Sequence, residues 1–163
     1  MQIKEFKTEH FLFKNYTELT PEENFQIWEG RNHPDIRKWM TNSKPFSYES
    51  HCTFIDGLKF KTDCLLFAAI HDGAVVGSMD LNPYDAIHLE GEMGKFLLPN
   101  YGGKGLGTMM TKEFLEYFFI NNFIKKVYVK TLISNEQNQH VNKKLGFVVT
   151  GKDDIYVYMT KIL

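Results

Sequence analysis

The chain has 163 residues, enough for one compact core and too few for two ordinary domains, so residues 1–163 are expected to form a single domain. With 19 basic and 20 acidic residues the formal net charge is -1, which gives no global field to recruit nucleic acid or an anionic membrane. Cys52 and Cys64 are too few for a disulfide framework, and no two of the 6 histidines stand three or four residues apart, so no metal site is expected. The first residues carry no apolar run behind a basic start and no stretch is long enough to cross a bilayer, so the expected compartment is the cytoplasm.

The opening stretch, with Phe6, Phe11, Phe13 and Tyr16, reads as one strand that ends at Thr20. There Thr-Pro-Glu-Glu supplies an N-cap, a proline for the first helical position and early acids, so a helix is predicted from Pro21 toward Arg31. Asn32, His33 and Pro34 interrupt it, and a short helical turn is expected through Trp39 and Met40. Ser47 is expected to cap a helix from Tyr48 to Leu58 that buries Phe54, Ile55 and Leu58.

Residues 64 to 71 form an apolar run, Asp72-Gly73 is a turn signal, and Val75 to Leu81 is a second run, which together predict a hairpin. A strand from about His88 to Leu98 is stopped by Pro99. A helix follows in which Leu106, Met110, Phe114, Tyr117 and Phe118 recur at three- and four-residue spacing, ending near Asn121. Then come a strand from Lys126 to Ile133, a helix from Glu136 to Lys144 closed by Gly146, and strands at Phe147 to Val149 and Ile155 to Lys161. This order predicts an α+β domain with a mixed sheet and helices packed on it.

Gly-Gly-Lys-Gly-Leu-Gly-Thr, Gly102 to Thr108, lies between a strand and an amphipathic helix. Glycines let the main chain approach an anion closely, and the first N–H groups of the helix point outward with the positive end of the dipole behind them. The run fails the dinucleotide pattern, which needs a third glycine near Thr108 or Met110, and the P-loop, which needs a lysine where Thr108 stands. Four glycines in six residues would be costly for a mere connection, and phosphate binding through the main chain explains them.

With its neighbours, from Glu92 to Thr108, this run resembles the fourth strand and acetyl-CoA loop of the GNAT acetyltransferases, with Gly105 and Gly107 on the family's glycines and Gly102 where Gln or Arg is usual. Asn135 and Lys143 to Phe147 resemble the family's late helix and following strand. The resemblance implies the GNAT fold: a single mixed, mostly antiparallel, splayed sheet of about six to seven strands with helices on both faces. It implies acetyl-CoA as co-substrate, its pyrophosphate on Gly102, Gly103, Lys104, Gly105, Leu106, Gly107 and Thr108. The pantetheine arm would lie against Phe96, Leu97 and Leu98, with Asn135 beside it or simply capping the late helix.

Acetyl transfer to an amine needs a neutral nucleophile, donors for the oxyanion and a means of stabilising the departing thiolate. His88, Glu90 and Glu92 alternate, which in an unbroken strand puts them on one face, and Glu92 matches a glutamate frequent on this strand of the family. Glu92 is therefore the candidate base, directly or through water, against the plainer reading of a solvated strand face. The family's tyrosine acid would stand at position 142, which is Asn142. Either another group serves, with Tyr101, Tyr156 and Tyr158 as candidates, or the thiol leaves unaided.

In the N-terminal third, Arg31 to Pro34, Trp39-Met40 and Glu49 to His51 resemble the bacterial nucleotide-sugar N-acetyltransferases of pseudaminic acid synthesis, which acetylate the 4-amino group of a UDP-linked amino sugar. That likeness implies acceptor contacts from Arg31, Trp39, Met40, His51, Ser78 and Asp80, while charge at this density equally suits a solvated helix face. Other acceptors stay open, namely a protein N-terminus or a small amine, as does a silent acetyl-CoA-binding module. An exposed edge strand near the C-terminus leaves a surface on which a homodimer can form.

Overall fold

The computed structural model describes residues 3–163, and among them one eight-stranded sheet carries five helices. In chain order these are β1 (Glu5–Lys7), β2 (Leu12–Asn15), α1 (Pro21–Asn32), α2 (Pro34–Arg37), α3 (Tyr48–Leu58), β3 (Leu65–His71), β4 (Ala74–Asp85), β5 (Glu90–Leu97), α4 (Leu106–Ile120), β6 (Lys126–Leu132), α5 (Glu136–Lys144), β7 (Val148–Lys152) and β8 (Tyr156–Ile162). The sheet order is β1-β2-β3-β4-β5-β6-β8-β7, and only β5 and β6 run parallel among the described pairs. The sheet has more strands than the six or seven expected, because the N-terminal aromatic run is two strands.

That run breaks at Thr8 to Phe11, where the Thr8 amide donates to the Phe11 carbonyl at 2.9 Å. The turn is pinned from a distance: the Thr8 hydroxyl and the main chain and ring of His10 all bond Glu113 on α4. Position 113 is remote in sequence, so the hairpin is invisible to local reading. The Thr20 cap forms as expected and closes a capping box, with the Glu23 amide donating to Thr20 Oγ1 at 3.2 Å and the Thr20 amide donating to Glu23 Oε2 at 2.8 Å. Ser47 caps α3 at the predicted residue. On α3, His51, Ile55 and Leu58 are buried, whereas Phe54 is 42% exposed, contrary to expectation.

Two apolar layers hold the sheet. On one face α4 presses Met110, Phe114 and Phe118 against Phe6, Phe13 and Phe67, with ring centroids 4.7 to 6.2 Å apart. Edge-on and offset contacts of this kind add about 0.5–1.5 kcal/mol each beyond the area they bury. On the other face α1 and α3 cover Tyr16, Leu66, Ala68 and Val75 with Ile27, Ile55 and Leu58. Helices therefore lie on both faces, and the end of the sheet around β5 and β6 is left for chemistry.

Candidate active site

The β5–β6 pair is short. Glu90, Gly91 and Glu92 pair with Lys126, Val127 and Tyr128, yet β5 runs on to Leu97 and β6 to Leu132. Past Glu92 the sheet opens as a wedge, as expected. On the opposite edge of β5 the Leu98 amide donates to the Val76 carbonyl at 2.8 Å, and the Leu98 carbonyl accepts from the Tyr101 amide at 3.3 Å. Antiparallel ladders alternate bonded and unbonded pairs, so Phe96 likewise turns its main chain toward Ser78 on β4. The main-chain groups of Lys95 and Leu97 are the ones that face the wedge. Phe96 and Leu98 therefore spend their main-chain groups within the fold, a correction to their expected place against pantetheine.

At the wide end of the wedge the glycine run makes a turn and then α4. Gly103 and Gly105 hold φ of 78° and 76°, a left-handed region that costs an L side chain roughly 1–2 kcal/mol. Gly105 is the N-cap and supplies no capping side chain, so the first N–H groups of α4, at Leu106, Gly107 and Thr108, are left to another acceptor. A Cβ built on Gly102, Gly103 or Gly105 meets nothing within 4 Å, so the approach to these donors is open. An open depression of about 390 Å³, lined by His71, Tyr101, Lys104 and Met109 among others, lies beside the turn. Across the wedge Asn135 caps α5, its Oδ1 accepting from the Asn138 amide at 3.2 Å. Pyrophosphate and an extended amide-bearing arm both fit these features.

One face of the wedge is acidic. Asp80 stands opposite Gly94 and so shares a face with Glu92, which neighbours Tyr128. Gly94 is required there, since a Cβ would come within 2.5 Å of the Asp80 carboxylate. Burial pushes Asp80 up to about 7; a backbone hydrogen bond from Gly94 and the Arg31 guanidinium pull it down, and the charge of Glu92 adds to the rise. Glu92 itself pairs with Lys130 Nζ at 3.5 Å. Arg31, lowered by burial, lies among Tyr16, Asp80 and the Phe46 ring, 5.8 Å from its centroid, and its Nη1 is buried without a hydrogen-bond partner.

The other face carries cations, Lys95 at the strand edge and Lys161 on β8 among them. Lys95 alternates with Met93 and Leu97 on the α4 side of the sheet, and its Nζ donates to Oδ1 of Asn142 on α5 at 2.7 Å. Burial lowers Lys95 to about 8. Asn142 is fully buried, and its Nδ2 has no partner, a deficit worth about 1–3 kcal/mol if nothing else fills it.

The acetyltransferase (GNAT) domain family matches residues 16–148. The chain belongs to the GNAT acetyltransferase family. It is an acetyl-CoA-dependent N-acetyltransferase, which removes the silent-module reading. Acetyltransferase PseH of Campylobacter jejuni subsp. jejuni serotype O:2 is 30% identical over 146 residues, 90% of each chain. A crystal structure of Campylobacter jejuni PseH in complex with acetyl coenzyme A superposes with a TM-score of 0.75 at 21% identity, over 92% of this chain and 96% of that one. Spermidine N-acetyltransferase from Vibrio cholerae, in complex with CoA and spermine, gives a TM-score of 0.84 at 17% identity, over 95% and 96% of the two chains. The two structural likenesses speak for the fold.

Against this GNAT frame several expected contacts move. His88 is not on the strand: Asp85 accepts from the amides of Ile87 and His88 and pairs with its ring, and Leu89 takes φ of 56°, so β5 begins only at Glu90. Ser78 is 1% exposed, sharing a 2.6 Å hydrogen bond with the Tyr16 hydroxyl and donating to the Phe67 carbonyl at 3.2 Å, so it braces the sheet and does not line the acceptor space. His51 is also buried; its Nε2 donates to Asn24 Oδ1 at 2.8 Å among the rings of Tyr16, Phe46 and Tyr48, and burial lowers it to about 4, which keeps it neutral. Trp39 is 41% exposed and is contacted by Lys38, 5.3 Å from its ring, a surface arrangement. Met40 ends the helical turn, its amide donating to the Arg37 carbonyl.

Among the expected tyrosines, Tyr158 donates to Asp153 on the β7–β8 side, Tyr156 lies 5.8 Å from Lys130, and Tyr101 packs on the main core. Tyr16 and Lys95 were not expected. The alternation of Met93, Lys95 and Leu97 did carry a signal for Lys95, because it sets a charge on an apolar strand face. Glu9, His10 and Glu113 cluster at the N-terminal hairpin, where Glu113 is occupied by Thr8 and His10. Among the described residues no helix is long and apolar enough to cross a membrane.

Proposed function

We propose that the enzyme acetylates the 4-amino group of a nucleotide-linked amino sugar, with Glu92 as base. The observation that carries this reading is Arg31, a half-buried guanidinium within electrostatic reach of Asp80 whose buried Nη1 is unspent. Such a group offers donors to hydroxyl or phosphoryl oxygens of the acceptor, a use that a polyamine, which has none, would leave unfilled. The likeness to PseH along 90% of both chains supports the same reading, as does the series from Arg31 to His51.

Bound acetyl-CoA supplies the activated acetyl group. Main-chain donors of Leu106, Gly107 and Thr108 hold its pyrophosphate, and the free edge of β5 at Lys95 and Leu97 aligns its arm. Asp80 and Arg31 orient the acceptor, and Glu92 takes the proton that the amine sheds, directly or through one water. A sugar amine is less basic than a lysine amine, so less proton-accepting strength is asked of Glu92.

The test is release of free thiol from acetyl-CoA with a panel of UDP-linked amino sugars, spermidine and a short peptide with a free N-terminus. Turnover with a sugar is expected to exceed the others by at least about 100-fold, the scale of a binding difference near 3 kcal/mol. Acetylation of spermidine or the peptide with every sugar inert would overturn the acceptor assignment.

A further inference from the structure

The two faces of the wedge differ in charge. Where the amine arrives, Asp80 and Glu92 are poised to accept protons; on the opposite face the Lys95 ammonium reaches from β5 to α5 and bonds Asn142 at 2.7 Å. Lys95 also directs its main-chain groups into the wedge, so its side chain begins at the strand edge against which the cofactor arm lies. Asn142 is fully buried with Nδ2 unspent, a second donor at the same place. Met79 stands opposite Lys95 on β4, Met93 and Leu97 flank it on β5, and Asn142 faces it from α5; Lys161 on β8 lies on the same side of the sheet but spends its ammonium on the Leu145 carbonyl at 2.6 Å.

We propose that the Lys95 ammonium, positioned by Asn142, is the acid that protonates the departing thiolate of coenzyme A. The amine nitrogen bonds the thioester carbonyl carbon, the C–S bond breaks with its electron pair on sulfur, and sulfur takes a proton from Lys95 Nζ. The proton lost by the amine passes to Glu92 or water, and Lys95 regains one from solvent. Products are the acetamide and free coenzyme A thiol. Burial, which brings Lys95 to about 8, matches it to a thiol of pKa roughly 8.5, so the transfer is close to thermoneutral. This assignment rests on acetyl transfer from acetyl-CoA and not on the identity of the acceptor.

The first measurement needs no acceptor. Coenzyme A bound to the wild-type protein is titrated by the ultraviolet absorbance of its thiolate, with desulfo-coenzyme A as blank. The thiol is expected to titrate about one pH unit or more below free coenzyme A, the effect of an adjacent cation, and to lose that shift in Lys95→Met. In turnover with whichever amine the acceptor panel yields, Lys95→Met is expected to lower kcat about 10- to 100-fold while the Kd for acetyl-CoA stays within about threefold. Lys95→Arg keeps the charge but releases no proton near neutrality, so it should restore the thiol shift and leave kcat low. An unshifted thiol in the wild type, full kcat in Lys95→Met, or full rescue by Lys95→Arg would each overturn the proposal. If Lys95→Met does not fold, the wild-type titration and the arginine variant decide.

Discussion

Asp80→Asn is expected to stabilise the protein increasingly as the pH rises. In the wild type the Asp80 carboxyl is raised by burial from 3.8 to about 7. Between these values the unfolded chain has lost its proton while the folded chain still holds one, so stability falls with pH through this window and the loss is complete above about 7. Three pH units at about 1.36 kcal/mol each make that loss about 4 kcal/mol. Asparagine has no such titration, and the cost of burying Arg31 is present at both ends of the window, so it cancels in the difference. The gap in unfolding free energy between Asp80→Asn and wild type should widen by about 4 kcal/mol from about pH 4 to about pH 8, or about 8–16 °C in Tm for a chain of this size. Urea unfolding of both proteins at the two pH values measures it. An equal gap at both would refute the raised carboxyl and with it the enclosed acceptor face.

Gly105→Val forces a β-branched side chain to φ of 76° and shifts the main-chain donors of α4, so acetyl-CoA should bind at least about 10-fold more weakly by calorimetry; unchanged affinity would remove the turn from the phosphate site. Glu92→Gln keeps the shape but loses the base, and kcat should fall about 100-fold with little change in acetyl-CoA affinity; activity kept within a few-fold would move the base to Asp80. Tyr16→Phe deletes the hydroxyl bonded to Ser78 at 2.6 Å and should cost about 1 kcal/mol in chemical denaturation, with no change in Kd for acetyl-CoA; a loss of acceptor turnover without a loss of stability would instead put Tyr16 at the acceptor.

Much of the scaffold was legible because its signals are local. Thr20 and Ser47 each accept from an amide three residues on, so a few residues suffice to declare a helix start. The apolar spacing of α4 and the Asp72-Gly73 turn are equally short in range. Most of the misread elements are decided from afar. The β1–β2 turn depends on Glu113, whereas the start of β5 is set by a local turn, in which Ile87 and His88 donate to Asp85, that the polar alternation of His88, Glu90 and Glu92 masks. Phe54 obeys the helical period approximately, but α1 and the sheet meet α3 on the side of His51, Ile55 and Leu58.

The same division runs through the site. The glycine run carries its structural signal locally, since left-handed φ and uncapped helix donors follow from which residues stand there. The acceptor residues do not: Arg31, Ser78 and His51 are all polar candidates in the sequence, yet only burial and hydrogen-bond partners separate Arg31, left with a spare donor, from Ser78 and His51, which are used up inside the fold. By itself the sequence determined the family, the glycine turn proposed to hold phosphate and the strand that carries Glu92. The tertiary structure alone decided which main-chain groups face the wedge, that Arg31 comes within electrostatic reach of Asp80, and that Lys95 reaches Asn142 47 positions away. The physical reason is range: backbone conformation and capping are set within a few residues, whereas desolvation and the pairing of charged groups depend on what the whole fold brings together.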